Sequence, residues 1–276
     1  MKKKNLFTSL AVCTLMFACV VLPSGCGQSE QEPGEGESQT EESLRTVESP
    51  EETTESVTET ETETESETET EAELLEPKER YLAQVSDTEQ MILVIGDGSV
   101  YGAELYYYEK NADGWTQILE TPAQIGENGF SSHTIEGDGT TPTGCFELGL
   151  AFGNCSDPGT ALEWVDVNPY HYWVDDPDSD YYNLLIDSRE VPDGWDSGEH
   201  LEEYVNSYAY AVNIEVNPEC TKDSTSAIFL HCYGKNPYTL GCVAVEESRM
   251  IELLKMLRPG AMITIVKSEE ELESFY

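Results

Sequence analysis

The sequence predicts a mostly β domain with few helices, of the α+β class, and three observations support this prediction. Residues 91–98 and 103–110 are apolar and aromatic runs separated by a glycine-containing turn, which is typical of a β-hairpin. Residues 209–216 alternate apolar and polar side chains with the period of two of a strand. Residues 247–257 place apolar side chains at helical spacing, and Pro259 and Gly260 then end the helix.

The remaining elements follow in chain order. Residues 115–119 add a possible third strand to the hairpin. In residues 209–216 the alternation predicts a half-buried strand, with Asn213 and Glu215 on the polar face. Two further short strands are predicted at 225–231 and 243–245, and residues 261–266 supply the last one.

The chain divides into three predicted parts. Residues 1–26 indicate an export signal, residues 27–78 a disordered linker rich in Glu, Thr and Ser, and residues 79–276 one folded domain. The linker has hardly a large apolar side chain and cannot build a core, so we expect it to act as a tether. The folded part is long enough for one sizeable core and shows no internal repeat.

The amino terminus carries the signature of a lipoprotein signal. Lysines at positions 2–4 precede an apolar run at 6–22 and then Ser24, Gly25 and Cys26, which resemble a bacterial lipobox. This predicts a lipid on Cys26 that anchors the protein to the outer face of the cytoplasmic membrane, facing the cell wall. A plain cleaved signal or a retained transmembrane anchor is the alternative, and each of them takes the chain out of the cytoplasm.

Charge excludes one class of partner. The chain has 55 acidic against 14 basic residues, for a formal net charge of −41. Such a surface repels nucleic acid and anionic lipid headgroups, so any membrane attachment depends on a lipid or a helix. We therefore expect no nucleic-acid partner.

His231 and Cys242 are the strongest candidates for chemistry. His231 ends a predicted strand, and Cys242 follows Gly241 after a short polar loop, so two neighbouring strand ends carry the pair. A thiolate beside an imidazole is a strong nucleophile, and we expect Cys242 to have a pKa below that of free cysteine. Gly241 allows a sharp turn, and Thr239 has a hydroxyl near the imidazole. The alternative is a satisfied strand-end histidine and a buried structural cysteine.

Five of the eight cysteines lie in the folded part. An odd number in an exported chain fits one reactive thiol and two disulfides, and proximity in sequence favours Cys145 with Cys155 and Cys220 with Cys232. Sequence does not establish these pairings, and free buried thiols remain the alternative.

Three stretches carry a resemblance to a known family. Residues 226–266 resemble the catalytic motif of the L,D-transpeptidase (YkuD-like) family, with a strand-end His, a Thr-x-Gly-Cys and a following helix. Residues 136–153 and 173–183 resemble two further family segments. The resemblance implies a YkuD-like β-sandwich or mixed-sheet fold in which one amphipathic helix follows the catalytic loop.

The resemblance also implies residue roles. Cys242 is then the nucleophile, His231 the base, and Thr239 and Gly241 shape the oxyanion side of the site. The substrate-binding residues it implies are Trp173, Asp176, Tyr182 and Asn183.

The predicted function is that of an exported, membrane-tethered cysteine acyltransferase. It would form L,D cross-links between peptidoglycan stem peptides through a thioester on Cys242. The short loop between His231 and Cys242 and the residue Ala244 depart from the family pattern, which leaves an L,D-carboxypeptidase open. The alternative outside the enzymes is a lipoprotein that binds the cell wall without catalysis.

We expect neither a cofactor nor a metal. Zinc bound by His231, Cys232 and Cys242 lacks the paired Cys-x-x-Cys spacing of structural sites. A calcium loop lacks its glycine and its closing glutamate; its aspartates would be Asp176, Asp178, Asp180 and Asp187.

Overall fold

The computed structural model describes residues 75–222 and 224–275, so the predicted signal, Cys26 and nearly all of the predicted linker lie outside the described residues. In that described part, no helix is both long enough and apolar enough to cross a membrane. Its helices are α1 (Pro77–Gln84) and α2 (Glu247–Met256), with 3-10 helices at Leu201–Tyr204 and Glu269–Phe275. Its strands are β1 (Gln90–Gly96), β2 (Gly102–Asn111), β3 (Gly114–Gln124), β4 (Phe130–Ser131), β5 (Thr141–Pro142), β6 (Gly144–Gly153), β7 (Trp164–Asp166), β8 (His171–Val174), β9 (Leu185–Asp187), β10 (Gly198–His200), β11 (Ala211–Ile214), β12 (Phe229–Cys232), β13 (Val243–Val245) and β14 (Met262–Val266).

The main sheet closes on itself. Its nine strands run in the order β11-β12-β13-β3-β2-β1-β14-β6-β7, and β6 also pairs with β11. Strand β6 is long enough to do both, because residues 144–147 pair with β14 and residues 148–152 with β11. Parallel pairs β1–β14 and β12–β13 lie among antiparallel ones. The predicted mostly β fold with mixed pairing is confirmed.

Helix α2 packs its apolar stripe into the core inside the main sheet. Met250, Leu253 and Leu254 are fully buried there, in one cluster with apolar residues of the main sheet. The helix ends at Met256, one residue before the predicted end, because Leu257 already has extended backbone angles ahead of Pro259. The predicted amphipathic helix is confirmed.

Two predicted strands are shorter in the structure. Strand β11 is buried on both faces, because the core lies on one side and an aromatic cluster containing Ala211 on the other. Asn213, expected on a solvent face, is therefore buried and donates to Glu215 at 2.8 Å. In the predicted strand 225–231, pairing begins only at Phe229, because Ala227 has a positive φ of 52° that interrupts an extended chain.

A small sheet lies beside the main one. Strands β10, β8 and β9 form it, and the 3-10 helix Leu201–Tyr204 follows β10 directly. Trp173 on β8 fixes it to the main sheet, since its ring packs edge-on against Phe229 of β12 with centroids 4.8 Å apart. The small sheet therefore lies against the face of β12 that carries both Phe229 and His231.

All five described cysteines are free, so the favoured disulfide pairings are wrong. Cys145 begins β6 and Cys155 follows its end, and an extended strand of that length separates them by roughly 30 Å. Cys232 ends β12 and is buried, whereas Cys220 lies in the turn that precedes that strand. A disulfide requires Cα atoms within about 7 Å of each other.

Candidate active site

His231 and Cys242 open into one cleft of about 410 Å³. His231 lies on β12 and pairs with Ala244 of the parallel strand β13, which starts one residue after Cys242. In this register the loop between the two strands brings Cys242 back beside Phe229, two residues before His231, and not to the strand end that the sequence predicts. The small sheet and the segment after it supply the other wall, and the lining includes Glu199, Tyr204, Val205, Ser207, Tyr208, Lys235, Thr239 and Leu240.

The Cys242 thiol is held by two backbone groups. Its S–H donates to the carbonyl of Ala227 at 3.3 Å, and its sulfur accepts the Phe229 N–H at 3.3 Å. Burial raises the thiol pKa well above its usual range, and the negative charge of Glu199 adds to this, while the Phe229 N–H opposes it. The expectation of a lowered thiol pKa is therefore wrong for the resting state.

The His231 ring is fixed as one tautomer. Its Nδ1 lies 2.7 Å from the carbonyl of Cys232, and because a carbonyl only accepts, Nδ1 carries the proton. Nε2 is then the unprotonated nitrogen of a neutral ring. Burial lowers the pKa of His231 to about 4, although the Cys232 carbonyl works against this.

The resting pair is thus a neutral thiol and a neutral imidazole. Among the described residues no hydrogen bond joins His231 to Cys242, because the thiol proton points to Ala227. The predicted thiolate beside an imidazolium is not the resting arrangement. Burial disfavours it, since separating charge where little water reaches the two groups is unfavourable until a substrate dipole compensates it.

Thr239 and Gly241 hold the turn that presents Cys242. The Thr239 hydroxyl donates to the Cys242 carbonyl at 2.6 Å and accepts the Gly241 N–H at 3.2 Å. Gly241 has a φ of 143°, and a Cβ there would come within 3.1 Å of the Thr140 carbonyl oxygen. Both residues position the nucleophile, and their role at an oxyanion stays a prediction.

Asn183 connects the predicted substrate loop to the thiol. Its Oδ1 accepts the Trp173 indole N–H at 2.9 Å and the Ala227 N–H at 3.0 Å. It is one of three non-glycine residues with positive φ among those described. Asn183 therefore fixes Ala227, the residue whose carbonyl accepts the hydrogen bond of the Cys242 thiol.

Glu136 secures the same segment from another side. Its Oε2 accepts the Tyr182 hydroxyl at 2.6 Å, the Ser226 hydroxyl at 2.8 Å and the Ser226 N–H at 3.1 Å. Burial raises the pKa of Glu136, and the donors from Tyr182 and Ser226 limit that rise. Sequence reasoning gave this residue no role, although it begins the stretch 136–153 that resembles a family segment.

The four residues assigned to substrate binding lie outside the cleft lining. Trp173 and Tyr182 are buried, Asn183 is part of the support described above, and Asp176 accepts the backbone N–H groups of Asp178 and Asp196. Their contact with a substrate stays a prediction.

Glu199 and Tyr208 form the wall that the small sheet contributes. The Tyr208 hydroxyl donates to Glu199, and the Tyr208 ring stands edge-on to His231 with centroids 5.4 Å apart. Burial raises the pKa of Glu199 to about 7; the Tyr208 hydroxyl opposes this, and the charges of Asp175 and Glu136 reinforce it. Neither residue has a sequence signal, since only the pairing of β10 with β8 brings Glu199 here.

Possible metal ligands do not gather in the described part of the chain, where no three His, Cys, Asp or Glu side chains form a binding group. Cys232 donates to the Tyr210 carbonyl at 3.5 Å, on a different side of β12 from its neighbour His231. Asp176 uses both carboxylate oxygens on backbone N–H groups.

Comparison with known proteins gives one family match. The family model for YkuD, the L,D-transpeptidase catalytic domain, matches residues 84–265. No curated protein matches the chain.

Solved structures of similar fold are distant in sequence. Bd1075 of Bdellovibrio bacteriovorus is 18% identical, with 70% of this chain and 59% of that one covered and a TM-score of 0.39. L,D-transpeptidase 1 of Mycobacterium tuberculosis is 14% identical, with 64% and 62% covered and a TM-score of 0.29. An L,D-transpeptidase (Yku) from Stackebrandtia nassauensis is 14% identical, with 67% and 58% covered and a TM-score of 0.31. The match thus spans about three fifths of the length of each of these proteins.

Proposed function

Because the chain belongs to the YkuD family of L,D-transpeptidase catalytic domains, we propose that it is a cysteine acyltransferase that cross-links peptidoglycan stem peptides. One observation carries the proposal: His231 and Cys242, on adjacent parallel strands, open into the same cleft. A nucleophile and a base that share a cleft are the minimum machinery for acyl transfer.

The first half-reaction makes a thioester. A stem-peptide carbonyl entering the cleft displaces the Ala227 contact, and the Cys242 proton moves to Nε2 of His231. The sulfur bonds to the carbonyl carbon, the peptide bond to the terminal D-residue breaks, and the departing amine takes the proton from His231. The enzyme then holds an acyl group on Cys242 and a neutral His231.

The second half-reaction resolves the thioester. The amine of a second stem peptide bonds to the acyl carbon while the carbon–sulfur bond breaks. One amine proton returns to sulfur through His231, which restores the resting thiol. Water in place of the amine gives a trimmed stem, which is the carboxypeptidase outcome.

Incubation with purified tetrapeptide muropeptides followed by mass spectrometry tests this function. We expect cross-linked dimers and an acyl adduct on Cys242 in wild type, and neither in Cys242→Ala. Cys155→Ala, which removes an exposed thiol, is the matched control and should keep activity. Trimmed monomers without dimers would identify a carboxypeptidase. Unchanged muropeptides with a folded protein would contradict acyl transfer altogether and favour a wall-binding role.

We also propose that the protein is exported and tethered to the membrane by a lipid on Cys26, with residues 27–78 as the spacer to the wall. The lipobox-like sequence and the acidic, core-free linker support this. Cys26→Ser should move the protein from the membrane fraction to the soluble exported fraction and abolish labelling by a radioactive fatty acid. Cys19→Ser, the control within the signal, should change neither. Unaltered fractionation of Cys26→Ser would contradict the anchor.

A further inference from the structure

Glu199 is an acid in the cleft that forms no ion pair within the described residues, Lys235 of the same lining included. It shares the lining with Cys242 and His231, and one of its oxygens accepts the Tyr208 hydroxyl. Within the described residues no Lys, Arg or His forms an ion pair with it, and Tyr208 is its sole hydrogen-bond donor. A partly buried carboxylate normally has a charged partner, so its second oxygen is available to a ligand from outside.

The same acid opposes the chemistry of its neighbour. Its negative charge raises the pKa of the Cys242 thiol, which makes the nucleophile harder to form. A positive group bound to Glu199 cancels this effect. The cleft is therefore at its most reactive when a cation occupies the place beside Glu199.

On the basis of the proposed function, we infer that Glu199 binds the ammonium group of the acceptor stem peptide and so selects an amine over water. Tyr208 is the positioning residue for this contact, since its hydroxyl holds the carboxylate while its ring packs against His231. The bound ammonium gives one proton to the Glu199 carboxylate, and the freed amine attacks the acyl carbon while a second proton returns to sulfur through His231. Water makes no ion pair with Glu199, so the site holds it less strongly than the acceptor.

The ratio of cross-linked to trimmed product tests this inference. Wild type, Glu199→Gln and Glu202→Gln are incubated with a tetrapeptide donor and increasing acceptor stem peptide, and acylation of Cys242 is followed separately by intact mass. Glu202→Gln is the matched control, because it removes the same charge from an exposed position outside the cleft lining. We expect Glu199→Gln to acylate at least as fast as wild type, with the product ratio about tenfold lower or more and a higher acceptor KM.

The outcomes separate the two proposals. An unchanged product ratio in an active Glu199→Gln enzyme overturns the role of Glu199 and leaves acyl transfer standing. Trimmed product alone from wild type also overturns it, since no amine is then selected. Failure of wild type to acylate overturns both proposals.

If Glu199→Gln does not fold, Tyr208→Phe provides the second test. This variant keeps the buried ring and removes the one hydrogen bond that holds Glu199. We expect a smaller fall in the same product ratio without loss of acylation. A ratio equal to that of wild type overturns the inference.

Discussion

The cleft has two walls that differ in how the chain encodes them. The wall from β12 and β13 carries His231 and Cys242, eleven positions apart, and its polar groups are hydrogen-bonded within the wall or to the loop beside it. The wall from the small sheet carries Glu199 and Tyr208, and there Glu199 forms no ion pair with any described residue. The first wall holds the proposed nucleophile and base with their own hydrogen-bond partners, whereas on the second wall we propose that a bound ligand supplies the partner of Glu199.

Removing His231, the proposed base, should have the largest effect of the changes to the two walls. We expect His231→Gln to lower the rate of Cys242 acylation by about 10²–10⁴-fold, because no other group on that wall takes the thiol proton. Single-turnover intact mass measures this rate. Glu199→Gln serves as the comparison, and an equal loss in both variants would show that the walls do not divide the work as proposed.

His231 on one wall and Glu199 on the other should change the stability of the fold in opposite directions as the pH falls. The folded pKa of His231 is about 4 against 6.5 unfolded, so its neutral burial stabilises fully above pH 6.5 and this stability is lost as the pH falls toward 4. The pKa of Glu199 is about 7 in the folded protein against 4.5 unfolded, so its ionisation destabilises the fold above pH 7. This penalty disappears as the pH falls toward 4.5.

Urea unfolding at pH 8 and pH 4.5 measures both effects. Through His231, wild type should lose about 3 kcal/mol of its free energy of unfolding between pH 8 and pH 4.5, because this side chain becomes protonated on unfolding. His231→Gln does not titrate, so its free energy of unfolding should rise by that amount relative to wild type over the same pH change. The free energy of unfolding of Glu199→Gln should fall by about 1–2 kcal/mol relative to wild type over the same pH change. This effect is smaller because the Glu199 side chain is partly exposed. A change of the same sign in both variants would refute the contrast.

Asn183 tests whether the support of the first wall is structural. We expect Asn183→Ala to lower the free energy of unfolding by about 2–3 kcal/mol, because the Trp173 and Ala227 N–H groups lose their acceptor. Leu184→Ala, at an exposed neighbour, is the control. A raised KM at unchanged stability would instead support the substrate contact that the sequence suggests.

Gly241 tests the turn that presents Cys242. Gly241→Ala should cost about 1–3 kcal/mol, because the new Cβ meets the Thr140 carbonyl at 3.1 Å in a backbone conformation that favours glycine. Gly114→Ala shares the positive φ but has open space around its Cβ, so it isolates the steric part. Thermal unfolding of both variants checks this, and equal losses would leave no role for the contact beside Cys242.

Local sequence patterns predict some of these elements and not others. The hairpin, α2 and the strands next to His231 and Cys242 were predictable, because each depends on local periodicity and on one short loop. The way those two strands meet was not, because it depends on their parallel register. Strands β8 to β10 were not, since each is only three or four residues long and forms through pairing with distant segments. Glu136 and Glu199 were hidden for the same reason, and the raised thiol pKa depends on burial that no local pattern reveals.

The hydrogen bond from Cys242 to Ala227 has a further consequence for durability. Peroxide oxidises the thiolate form of cysteine far faster than the thiol, and sulfinic or sulfonic products are irreversible for most enzymes. A sulfur kept protonated between turnovers spends little time in the vulnerable form. For the exported enzyme proposed above, we expect this arrangement to slow the oxidation of Cys242 between turnovers.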